Sequence, residues 1–153
     1  MAEEIFNSFD KALKNILGQF NMLYVNINSS CDLQNIESKT PINIILGLLG
    51  DLRGSVIIGM DNKLGNKLVE NISDGFMNDI NSEMARSALS ELGNMITAYA
   101  STNLFSYGYK TDITTPTLVV GEDLTAIVCR TQSKMMTYVT EHGNVQMVIG
   151  LWQ

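Results

Sequence analysis

Ser87, Glu91 and Asn94 stand four and then three residues apart in the stretch S-A-L-S-E-L-G-N, 87–94. On an α-helix that spacing stacks three polar side chains along one face. With Ala85 set at zero and a turn of roughly 100° per residue, Ala88, Leu89, Leu92, Ile96 and Tyr99 fall within roughly 60° of it. They form an apolar stripe that has to be buried. Ser87, Glu91 and Asn94 fall on the other side, at roughly 180° to 240°. A carboxylate and a carboxamide are thus held outward, one turn apart, on a rod whose back is anchored. A carboxylate there can grip a cation, and a carboxamide can both donate to and accept from a water molecule. A polar outer face is also what solubility alone produces, and E-x-x-N has little specificity by itself.

Periodicity places the elements that must hold this face. Ile5, Phe6, Phe9, Leu13, Ile16, Leu17 and Phe20 recur at helical spacing and predict a first helix ending near 18–20. An Asn- and Ser-rich stretch, 26–40, follows; its periodicity is poor and compatible with a short strand around 33–36. Residues 42–49 and 54–60 read as strands of an antiparallel hairpin around Gly50-Asp51-Leu52-Arg53. Gly47, Gly50, Gly54 and Gly59 mark bulges or close backbone approach. Asp61 is placed to cap a short helix carrying Leu64, Leu68, Val69 and Ile72, which Ser73-Asp74-Gly75 ends. Asp79 is the predicted cap of the long helix, which runs to about Asn103. Gly93 costs that helix about 1 kcal/mol relative to Ala, which points to close packing there. Residues 117–120, 124–130, 136–140 and 145–151 read as short strands, with turns at 121–123 and 141–144. Pro116 stands just ahead of its strand, where a missing N–H does little harm. The expected fold is α+β over residues 1–153 as a single domain: an antiparallel sheet packed against a long central helix and two further helices.

Composition removes several functions. The 153 residues carry a net charge of −6, so no basic surface is available to neutralise nucleic-acid phosphates. The longest apolar run, 44–49, is too short to span a bilayer, and the acidic start is unlike a signal peptide; a cytoplasmic protein is expected. Cys31 and Cys129 lie outside any Cys/His cluster and read as free thiols. No spacing suggests a zinc site or a P-loop, and no metal ligand is assigned. The single histidine, His142, falls in a turn with no nucleophile motif to join it. The glycines of 47–59 join two strands rather than opening a helix, so a phosphate cradle is a poor fit. Nine scattered methionines are explained by core filling.

The S-A-L-S-E-L-G-N-M segment, with D-I-T-T-P-T-L-V-V-G-E-D-L at 112–124, resembles the CheX/CheC family of chemotaxis phosphatases. The family signature is an Asp or Ser, three residues, Glu, two residues and Asn, matched by Ser87, Glu91 and Asn94. Family members with two active faces carry it twice. Here the first helix has Ser8 and Asn15 at the right spacing but Ala12 where Glu is required, so the chain resembles the single-motif, CheX-like members. The resemblance implies a CheC-like fold and a homodimer built through sheet strands, with the motif helix facing away from that interface. It also implies hydrolysis of the aspartyl-phosphate on a CheY-like response-regulator receiver domain. Asn94 would orient the attacking water and Glu91 would pair with the receiver's lysine. Ser87 and Ala98 would contact the partner. No cofactor is expected on this chain, the Mg²⁺ being supplied by the receiver. The rival reading is a dimer that docks on a response regulator or flagellar switch component without catalysis. A third is a small-molecule sensor built on the Gly-rich strands.

Overall fold

A computed structural model describes residues 2–152. The elements run α1 (Glu3–Gln19), β1 (Asn26–Leu33), β2 (Ile36–Ser38), β3 (Ile42–Gly50), β4 (Arg53–Met60), α2 (Asn62–Ile72) and α3 (Glu83–Ser106). They continue as β5 (Thr111–Ile113), β6 (Thr117–Val120), β7 (Ala126–Cys129), β8 (Ser133–Thr140) and β9 (Gly143–Trp152). The main sheet is antiparallel in the order β1-β8-β9-β4-β3-β5, and β6 pairs with the half of the β3 edge that β5 leaves free. The expected α+β architecture is therefore present, with all three helices on one face of the sheet.

Strand alternation explains that layering. Ile42, Ile44, Leu46 and Leu48 of β3, Val56 and Ile58 of β4, and Val145, Met147 and Ile149 of β9 point to the helices and join one core. Against them α1 presents Ile5, Phe9, Leu13, Ile16 and Leu17, and α3 presents Leu89, Leu92, Ile96 and Leu104. Each such side chain, fully buried, contributes about 1.5–3 kcal/mol. The intervening residues Ile45, Ile57, Met135 and Val148 face the other way, where Ile36 and Cys129 cover them. These come from β2 and β7, a separate two-stranded ribbon across the back of the sheet. Burial on both faces is why the central strands read as nearly unbroken apolar runs.

Some boundaries differ from those expected. The stretch 26–40 holds not a short strand around 33–36 but two strands, β1 and β2, on either side of that point. Asp79 does not cap the long helix. It accepts from the backbone of Asn81 at 2.6 Å, while Ser82 receives the amide of Ala85 at 3.1 Å and is the N-cap. The shift follows from Ile80, which is buried and held by Asn66, so the helix begins only beyond it. Asp61 caps α2 as expected, accepting from Leu64 at 2.8 Å, and its second oxygen accepts from the amide of Asn144 at the start of β9 at 3.0 Å.

One contact ties α1 to the sheet and gives a measurable pH effect. Tyr138 of β8 is fully buried and donates to Asp10 Oδ1 of α1 at 2.7 Å. Burial, then that hydrogen bond and the charge of Asp10, holds the phenol far above the ordinary tyrosine range. The fold thus favours the neutral form, whereas the unfolded chain releases this proton near pH ~10. The contribution is complete below that pH and is lost as pH rises above it. Urea denaturation should show the native chain losing stability above pH ~10 more steeply than Tyr138→Phe, which should cost about 1 kcal/mol at neutral pH. Equal alkaline slopes would contradict this.

Candidate functional site

The long helix carries the site because it is pinned hard against the sheet. At Gly93 an added Cβ would sit 2.5 Å from Ile44 Cγ2 and 3.4 Å from Leu46 Cδ1, so glycine lets the helix axis come close to β3. Thr97, buried one turn on, returns its hydroxyl to the Gly93 carbonyl at 3.0 Å. Directly outward from this contact stand the signature residues. Ser87, Glu91 and Ala98 are exposed and Asn94 is half-buried, while Ala85, Leu89, Leu92 and Ile96 are buried beneath them.

The side-chain hydrogen bonds of α3 and its cap come from Ser82, Arg86, Thr97, Ser101, Thr102, Asn103 and Ser106. Among the described residues Ser87, Glu91 and Asn94 make none, and the ion pairs lie elsewhere, at Lys14–Asp10 and Lys67–Glu70. The carboxylate and the carboxamide therefore hold their full bonding capacity for an incoming group. The corresponding spacing on α1 presents only Asn15, which accepts from Gln19 at 3.2 Å, because Ser8 and Ala12 are both buried.

Beside the signature runs an open groove of about 560 Å³ with Glu83, Arg86, Ser87, Ser90, Glu91 and Asn94 on one wall and Pro116 and Leu118 on the other. That second wall explains the 112–124 run. Thr114 interrupts the strand between β5 and β6, exchanging bonds with Gly47: its amide donates to the Gly47 carbonyl at 3.0 Å, and its Oγ1 accepts from the Gly47 amide at 2.8 Å. The methyl of Thr114 fills the space a side chain on Gly47 would need. Pinned there, the chain turns through Pro116 into β6 and delivers Leu118 alongside α3. Sequence periodicity did not single out Arg86, Pro116 or Leu118; their only signal was membership of that run or proximity to Ser87. Arg86 is partly committed, its Nε donating to the Ile80 carbonyl at 3.1 Å.

The glycines are used up internally. Gly47 takes Thr114, Gly54 takes the Gly150 backbone, and Gly59 takes Thr40 and Ser38. Cys31 on β1 and Cys129 on β7 are both free. Among the described residues no group of three or more His, Cys, Asp or Glu is gathered to hold a metal ion, and no helix is long and apolar enough to cross a membrane.

The family model for chemotaxis phosphatase CheX matches residues 42–141, which hold the motif helix, the hairpin beneath it and the Thr114 run. The chain belongs to the CheX family. It is 33% identical over 92 residues to the CheY-P phosphatase CheX of Thermotoga maritima, an alignment covering 60% of this chain and 59% of that protein. The chain thus matches somewhat over half the length of this curated CheX relative. In fold it is similar to a CheC-like superfamily protein from Shewanella sp. PV-4, with a TM-score of 0.89 and 22% identity over 100% of both chains. It is also similar to the structure of a CheX–CheY–BeF3–Mg²⁺ complex from Borrelia burgdorferi, with a TM-score of 0.74 and 18% identity over 99% of this chain and 97% of that one. The CheC-like fold expected from the signature is thereby established.

Proposed function

We propose that this CheX-family chain hydrolyses the aspartyl-phosphate of a CheY-like receiver domain, acting as a cytoplasmic chemotaxis phosphatase with residues 1–153 forming its single domain. The observation that carries the proposal is the outward presentation of Glu91 and Asn94, free of internal partners, on a helix locked to the sheet at Gly93. An acyl phosphate is already activated, so the phosphatase need only place a water in line with the bond to be broken. The Asn94 carboxamide orients that water. The water's oxygen bonds to phosphorus as the bond from phosphorus to the aspartyl oxygen breaks; the electron pair leaves on the receiver's carboxylate and the water's protons leave with the inorganic phosphate. Glu91 pairs with the receiver's lysine and fixes the register of the amide over the phosphoryl group. Ser87 contacts the partner on the same face, and Ala98 is small enough to admit its loops. Mg²⁺ is assigned to the receiver, where it neutralises phosphoryl charge.

Homodimerisation through sheet strands belongs to the same proposal. It is favoured by β1, an edge strand paired among the described residues only with β8 and lying across the sheet from β3, over which α3 runs. Light scattering at micromolar concentration should give twice the chain mass, and a monomer mass would count against the assembly. Catalysis and mere docking are separated by phosphate release. At about one tenth of the receiver's concentration a catalyst clears every phosphoryl group, because each site turns over. Release no faster than from the receiver alone would favour docking without hydrolysis.

A further inference from the structure

The outer face of α3 extends well beyond the signature. Two of its large apolar side chains are left in solvent, Met84 at 61% exposure and Phe105 at 63%, whereas Leu89, Leu92, Ile96 and Leu104 are buried. Single exposed apolar residues are common and mean little. The placement of these two is what informs. On the wheel that puts Ala85 at zero, Met84 falls at roughly 260° and Phe105 at roughly 200°, the side occupied by Ser87, Glu91, Asn94 and Ala98. They bracket Asn94 almost evenly, ten residues before it and eleven after, or about 15 Å and about 16 Å along the axis. The full span of about 31 Å is the diameter of a small domain.

Charge along the helix divides the face further. Glu83, Arg86 and Glu91 are the charged residues of α3, all before Asn94, so everything from Asn94 onward is neutral. Phe105 closes that neutral half beside a shallow groove of about 560 Å³ between Ser101, Thr102 and the Lys110–Asp112 segment. The groove wall is firm: Asp51 and Lys110 exchange two bonds of 2.8 Å, and Ser101 donates to the Thr111 carbonyl at 2.8 Å.

We infer that Met84 and Phe105 are apolar anchors that seat the receiver domain on either side of its phosphorylated pocket, extending the contact over the whole outer face of α3. This rests on the receiver-binding reading of the signature face, with which both residues are continuous. The polar centre performs the chemistry, and the apolar ends supply much of the affinity. Interfaces commonly combine a few large buried side chains with a surround of weak contacts.

The test uses a CheY-type receiver from the same genome, loaded with Mg²⁺ and beryllofluoride so that the phosphoryl mimic is not consumed. Calorimetry compares the native chain with Phe105→Ala, Met84→Ala and the control Ile127→Ala. Ile127 is 59% exposed on the β2–β7 ribbon behind the sheet, away from α3. Phe105→Ala and Met84→Ala should each raise Kd by about 5- to 20-fold, with Ile127→Ala unchanged. The Phe105 effect should persist in high salt, since it involves no charge. Unchanged Kd in both anchor variants, or an equal loss in Ile127→Ala, would overturn the inference. Native protein that binds and hydrolyses while the anchor variants bind as tightly defeats the inference alone. Native protein that binds through both anchors yet releases no phosphate defeats only the hydrolytic reading. Absence of binding by the native chain defeats both.

Discussion

Asn94→Ala should abolish turnover on a phosphorylated receiver, lowering kcat by on the order of 10²-fold or more while leaving affinity nearly intact. The carboxamide makes no internal side-chain hydrogen bond, so truncating it orphans no buried group and should leave the fold and thermal stability unchanged. What disappears is a carboxamide that can donate to a water while accepting from it, at the middle of this face. Asn94→Gln should fail nearly as badly, because a longer arm displaces the amide by about 1 Å or more and misplacement on that scale costs about 10² in rate. Stopped-flow measurement of receiver dephosphorylation under saturating conditions checks both variants. Full activity in Asn94→Ala would mean the water is held elsewhere.

Glu91→Lys should act on capture rather than chemistry. The native carboxylate is exposed and unpaired within the described chain, available to the receiver's lysine. Reversing its charge removes an attraction and adds a repulsion at the centre of the contact, a change of about 2–5 kcal/mol, or roughly 30- to 5,000-fold in Kd. Part of that is screened, so the defect should shrink as salt is raised. Titration of the beryllofluoride-loaded receiver at two ionic strengths reads this directly. Unchanged affinity would remove Glu91 from the interface.

How far the residues alone led is clearest at five places. The face of α3 was legible because its apolar stripe and polar trio differ by half a turn: of the stripe that spacing picks out, Ala85, Leu89, Leu92 and Ile96 are buried, while Ala88 and Tyr99 are half-buried. The hairpin of β3 and β4 was legible for a similar reason, in strand period. By contrast β1 was hidden, since periodicity registers burial and this strand is exposed on nearly every residue, held by its ladder to β8. The second wall of the groove was hidden because Thr114 meets Gly47 across 67 positions of chain. No local pattern encodes that encounter. The D-I-T-T-P-T run is marked in the sequence by resemblance alone, whereas its physical role is the Thr114 contact that locks β5 and β6 onto β3. The start of α3 went to Ser82 rather than Asp79 because a tertiary contact, burial of Ile80, outranked a local capping preference.

The chemistry assigned to Asn94 has a further signature, because a carboxamide does not titrate near neutral pH. The most direct measurement is the single-turnover rate of phosphate loss from a phosphorylated CheY-like receiver mixed with excess protein between pH 6 and 8. A rate about 100-fold or more above that of the receiver alone, and flat across that range, is the predicted result. A rate equal to the receiver's own, or one that rises with pH as a general base would dictate, would contradict the account.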